Sequence, residues 1–167
     1  MSPPTLPEVD SSKPAARART VLAVLVLLGL TLAFYNGLWL PGLVLIKRDA
    51  YGFWLPLKQH MIERLATGEL PQWFPYEALG RPFIGTAATG IFHPFTLLYF
   101  LLPAPDAYRA STLLSCLLAA VGAFTLGRTV NFSRAGALGA GVAFALSGYV
   151  VSFTEHFIYL YSICDTT

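Results

Sequence analysis

Charge is what this sequence has least of. Only 12% of its 167 residues are Asp, Glu, Lys or Arg, against 55% hydrophobic, about half the charged share of an ordinary soluble domain. The apolar residues arrive in blocks, not at scattered periodic positions, so the solvent they imply is lipid and a soluble enzyme is excluded. Cysteine is scarce too. Cys116 and Cys164 lie far apart with no CxxC or His-rich spacing, which gives no disulfide framework and no zinc site. Cys116 falls inside an apolar block and reads as a small buried hydrophobe. A formal net charge of +2, with no basic stripe interleaved with aromatics, excludes nucleic acid as a partner.

What is present is organised around three long apolar blocks. Residues 1–20 are rich in Pro, Ser and Ala, with Lys13, Arg17 and Arg19 near the end; nothing there can bury a core, so a disordered tail is expected. Residues 21–40 carry no charge, and a helix of that length covers about 30 Å, the thickness of the hydrocarbon core. A secretory signal peptide is the rival reading. Its apolar region would be shorter and end at a small-x-small cleavage site, whereas here apolar character continues to Ile46. Residues 107–127 and 135–153 form the next two blocks, both rich in Gly, Ala and Ser. Small residues let membrane helices approach closely, so these two spans are expected to pack on each other or on later helices. Gly136, Gly139 and Gly141 form no strict GxxxG.

The fold class expected is all-α, a polytopic membrane protein with about three transmembrane helices and interfacial helices in a long external loop. Positive charges in short segments set the orientation. The tail is basic, and the turn 128–134 has two arginines and no acid. Placing both in the cytoplasm puts residues 41–106 outside and predicts a multi-pass protein of the cytoplasmic membrane with its amino terminus inside. In that topology Asn131-Phe132-Ser133, which matches the glycosylation sequon, faces the cytoplasm and is set aside. Residues 154–167 include EHFIYLYSI before stopping at CDTT. They read as the start of another outer helix, as expected of a truncated chain.

The external loop carries whatever chemistry there is. Trp54, Leu57, Met61 and Leu65 recur at helical spacing, with Lys58, Gln59, Glu63 and Arg64 expected on the other side. Pro56 suits a first turn and Gly68 a stop, which predicts a short amphipathic helix along the outer interface. Residues 69–90 are dense in Pro, Gly and aromatics and predict an ordered loop without long elements. Trp73, Phe74 and Tyr76 fit either an aromatic belt at headgroup depth or a binding surface. Residues 91–102, bounded by Pro94 and Pro103, suit an interfacial or re-entrant helix better than a span.

Asp49 follows Lys47 and Arg48 just beyond the first apolar stretch. Two neighbouring cations favour its ionised form. Such a carboxylate could accept a proton from a hydroxyl or hold a divalent metal ion, although a flanking Asp is ordinarily a solvated charge. His93 and His156 are possible acid–base groups or interfacial residues. Arg81 could meet a phosphate or stand solvated in the loop.

The order of features resembles the YfhO-like bacterial membrane proteins. A first span and Asp49 are followed by an amphipathic helix, then by Gly68, Pro71, Trp73, Pro75, Tyr76, Gly80 and Pro82, and later by Pro94, Leu97, Leu98 and Tyr99. Phe74 stands where relatives often carry Asn, and His93 where Tyr is common. That family is much longer and is similar to GT-C-type glycosyltransferases. The resemblance therefore implies a GT-C-like amino-terminal part, a polyprenyl-phosphate-linked sugar as donor and an envelope glycopolymer as acceptor. It also implies a catalytic role for Asp49, with Trp73, Tyr76, Arg81, His93 and His156 around the ligand; the fragment alone is expected to be inactive. The rival class is a non-enzymatic membrane protein, a transporter or an envelope-assembly component. Transporters tend to carry charges near the middle of their spans, and these spans carry none there.

Overall fold

The structure is a computed structural model and describes residues 12–39, 50–77, 79–86 and 89–153. It is mostly helical. Three helical stretches are long and apolar enough to cross a membrane: Ala15–Phe34, Ala104–Thr129 and Arg134–Ser152. The first lies in α1, Ser12–Phe34, and is followed by the short α2, Asn36–Trp39. Helix thus begins well before residue 21. Ser12–Thr20, expected to be disordered, extend the helix amino-terminally, because Ala and Arg are good helix formers and an existing helix is lengthened more cheaply than a new one is started.

The second span is α5, Ala104–Thr129, and the third runs through α6, Arg134–Ala145, into α7, Gly148–Phe153. The sequence pattern predicts a continuous third span, yet the helix breaks after Ala145. There Tyr35 Oη donates to the Ala145 carbonyl at 2.8 Å. That bond satisfies an acceptor otherwise orphaned at a helix end, while Ser147 Oγ accepts from Val150 N at 3.3 Å to start α7.

The turn between α5 and α6 shows how local sequence reverses the chain. Asn131 takes φ 65°, Phe132 N donates to Gly127 O at 2.9 Å and Asn131 N to Arg128 O at 3.3 Å, the pattern of a helix ended by a left-handed residue. Ser133 Oγ then accepts from Gly136 N at 3.0 Å, capping α6. Arg128 also donates to the Phe132 carbonyl.

α5 and α6 make the most extensive contact in the fold, with α1 against both. Glycine permits it. A Cβ on Gly127 would lie 3.2 Å from Ala137, and one on Gly141 would lie 2.9 Å from a Leu27 methyl and 3.0 Å from the Ala120 carbonyl. The small residues of these spans therefore mark where helix backbones meet. Cys116 is fully buried beside Tyr35, Leu38, Ala119 and Val150.

Two hydrogen bonds fix which ends coincide. Arg134 Nε reaches Thr20 Oγ1 at 3.4 Å, so the start of α1 and the α5–α6 turn share one end. Arg109 Nε donates to Leu38 O at 3.0 Å, so the end of α2 and the start of α5 share the other. There a cap is built from the described residues between Ala50 and Pro103.

In the cap, a π-helical turn, Ala50–Trp54, leads into α3, Leu55–Ala66. Pro56 sits in the first turn of α3, and Gly68, with φ 77°, takes its NH to Leu65 O just beyond the end. Two short strands follow, β1 (Trp73–Phe74) and β2 (Arg81–Pro82), antiparallel with Trp73 opposite Pro82. A 3-10 turn, Pro94–Leu97, runs into α4, Leu98–Leu101. The cap core joins Trp54, Leu57, Met61, Phe74, Phe83 and Tyr99 to Ala107 and Tyr108 of α5. The cap is thereby seated on the bundle.

Candidate functional site

α3 presents two faces. Gln59, Glu63 and Arg64 are exposed as expected, and Leu57 and Met61 are buried. Lys58 departs from expectation. Placed with the polar residues by its chemistry, it is 1% exposed. The spacing explains this, since Lys58 lies three and seven residues before Met61 and Leu65 and shares their side of the helix. Its Nζ donates to the Thr89 carbonyl at 2.6 Å and lies 5.3 Å from the centre of the Tyr99 ring, within cation–π reach. Burial pushes its ammonium down from the usual lysine range to about 7, because a low-dielectric site disfavours the charged form.

The segment Lys58 grips is held by further polar bonds. Thr89 Oγ1 donates to Thr86 O at 3.0 Å and Thr96 Oγ1 to Gly90 O at 2.6 Å. His93 caps the 3-10 turn, its Nδ1 accepting from Phe95 N at 3.2 Å. Its sequence-level candidacy as an acid–base group meets a structural use of one ring nitrogen.

On the opposite flank His60 joins α3 to β1. It is 8% exposed, and its Nε2 lies 3.0 Å from the Trp73 carbonyl. Its ring meets Phe74, Tyr76 and Phe83 at 5.3, 5.8 and 5.5 Å between centroids. Reasoning from the sequence passes over His60; its place three residues after Leu57 is the available signal. Arg81 is engaged as well. Its Nε is 2.8 Å from Glu77 Oε2, and its guanidinium lies over Phe53 and Phe74 at 5.1 and 5.9 Å. Its Nη2 is buried without a hydrogen-bond partner among the described residues, which leaves one donor for an added acceptor.

Of the residues singled out from the sequence, Trp73, Tyr76 and Arg81 come together around the two short strands. His93 serves a different element, and Asp49 and His156 lie outside the described residues. Trp73 and Tyr76 are 51% and 75% exposed. Gly80, with φ 89°, packs against the Trp73 indole so closely that a Cβ would lie 2.4 Å from Nε1, so the Gly80 of the loop pattern fixes Trp73. Among the described residues no group of three or more His, Cys, Asp or Glu could hold a metal ion. No family model, curated protein or solved structure matches the chain.

Proposed function

We propose that the chain forms part of a polytopic membrane glycosyltransferase of GT-C-like architecture, as its resemblance to the YfhO-like proteins implies. It sits in a bacterial cytoplasmic membrane with its amino terminus inside. It transfers a sugar from a polyprenyl-phosphate donor to an extracytoplasmic envelope acceptor. The observation that carries the reading is the ordered cap over one end of the bundle. Phe74 and Phe83 of the loop and Leu57 and Met61 of α3 share one core there, beneath the paired strands that carry Trp73 and Pro82. The opposite end gathers Arg17, Arg19, Arg128 and Arg134, the asymmetry expected of a cytoplasmic side.

In the transfer, the acceptor hydroxyl oxygen bonds to the anomeric carbon while Asp49 takes the hydroxyl proton. The bond from that carbon to the phosphate oxygen breaks, and polyprenyl phosphate leaves with the electron pair. Arg81, though paired with Glu77, is the cation the loop offers to a phosphate. General-base assistance is worth roughly 10²–10⁴-fold. Asp49→Asn, in the cell that makes the protein, should therefore lower labelled-sugar incorporation into envelope polymer by at least about a hundredfold. Unchanged incorporation at normal protein level would remove the catalytic role.

A second reading, a non-enzymatic envelope component, is favoured by one feature. Trp73, Tyr76 and Arg81 each have a packing role inside the cap. On that reading Asp49→Asn changes nothing.

A further inference from the structure

The outer flank of the cap holds an open groove of about 500 Å³, lined by Glu63, Arg64, Thr67, Trp73 and Tyr76 with His60 at its base. A second, of about 460 Å³, shares Arg64 and Trp73 with it and adds Gln72 and Glu69. Arg64 and Trp73 thus border both hollows. We infer that this groove binds an uncharged glycan strand, with Trp73 and Tyr76 as the stacking platforms.

Exposed aromatics are ordinarily mobile; this pair is not. Pairing of β1 with β2 holds the Trp73 backbone, His60 Nε2 bonds its carbonyl and Gly80 packs against the indole. Tyr76 meets His60 and Phe74 edge-on. Rings fixed in advance and left open lose little entropy when a flat ligand covers them.

Leu70 and Pro75 add apolar surface, but Glu63, Arg64 and Glu69 stand around the two rings, which keeps them out of acyl depth, where charges are costly. A hydrated ligand with an apolar face and a polar rim fits instead. A pyranose offers its C–H face to an aromatic ring and its hydroxyls to carboxylate, amide and guanidinium groups.

The charge balance selects further. Arg64 is paired with Glu69 at 2.6 Å, and Glu63 adds a negative charge. The lining thus carries one net negative charge, which favours a neutral strand over a polyanionic one. This inference rests on the sugar-transfer reading only for the glycan's role as acceptor.

The test measures binding without turnover. Protein in phosphatidylcholine nanodiscs is titrated calorimetrically with neutral hexasaccharides of β-1,4-glucose, α-1,4-glucose and β-1,4-N-acetylglucosamine, and with hexagalacturonate. At least one neutral strand should bind, with hexagalacturonate at least tenfold weaker. Trp73→Ala and Tyr76→Ala should each weaken binding about tenfold or more. Because Trp73→Ala can loosen the cap, the exposed Tyr76 is the deciding position.

Failure of every neutral strand to bind, or full affinity in Tyr76→Ala, overturns the site. So does strong quenching of Trp73 emission by brominated lipid in the Trp39→Phe, Trp54→Phe double variant, which would put the ring in the bilayer. Lost transfer in Asp49→Asn without any glycan binding sinks the groove alone. Glycan binding with transfer intact in that variant sinks the catalytic reading alone.

Discussion

The bundle and the cap solve the same problem, polar groups away from water, in opposite ways. In the bundle, Tyr35 Oη crosses to Ala145 O, but several Ser and Thr hydroxyls turn back onto their own helix. Thr31 Oγ1 donates to Leu27 O, Ser111 Oγ to Tyr108 O and Ser115 Oγ to Ser111 O, so each span is nearly self-sufficient, as lipid demands. In the cap, polar bonds run between segments: Lys58 to Thr89 and His60 to Trp73. Spans assembled from closed helices tolerate polar change at their surfaces but not added volume at their crossings. A cap tied by cross-element bonds depends on its core and on the protonation state of buried groups.

The largest break of this contrast is expected in the cap core. Phe83 is 1% exposed and meets His60 and Phe74. Phe83→Ala should destabilise the cap by about 3–5 kcal/mol, measured by hydrogen exchange of α3 and β1 in nanodiscs, with α5–α6 protection retained. Loss of protection throughout would show that bundle and cap are one cooperative unit.

The converse change falls on the bundle. Gly141→Val puts methyl groups where even a Cβ lies 3.0 Å from the Ala120 carbonyl, a backbone atom that cannot rotate away. Overpacking of this kind costs about 1–3 kcal/mol. Thermal unfolding in detergent should fall accordingly, while exchange within the cap is unchanged. An unaltered midpoint would mean that α6 can shift away from α5 at this crossing.

Much of the bundle was legible because lipid imposes a simple rule, an uninterrupted apolar length. The three spans and the close packing of the Gly- and Ala-rich pair follow from it. The break after Ala145 does not, since it depends on Tyr35, 110 residues away in the chain. In the cap the α3 stripe and its Gly68 stop were readable. Lys58 was not, because residue chemistry placed it in water while helical spacing placed it beside Met61, and His60, three residues after Leu57, was passed over. The companions of Trp73 were hidden as well, for Gly80 against the indole is a contact that turn geometry creates.

Lys58 supplies the finest test of the contrast, because a proton can alter the cap and leave the bundle unchanged. Folding holds its ammonium near 7, against 10.5 for an ordinary lysine. Between those values the unfolded chain binds more protons than the folded one, so stability rises with pH. From pH 7 to pH 8 the gain is about 1 kcal/mol, and it continues at up to about 1.4 kcal/mol per unit until the unfolded lysine also loses its proton. Exchange of the amides of α3 and of the 89–96 segment, corrected for its intrinsic pH dependence, should slow across that interval. Those of α6 should not. Lys58→Met keeps the volume, removes the titration and should flatten the slope. A slope that survives in Lys58→Met would assign the proton to another group, and equal slopes in cap and bundle would show that the two regions do not separate as their hydrogen bonds suggest.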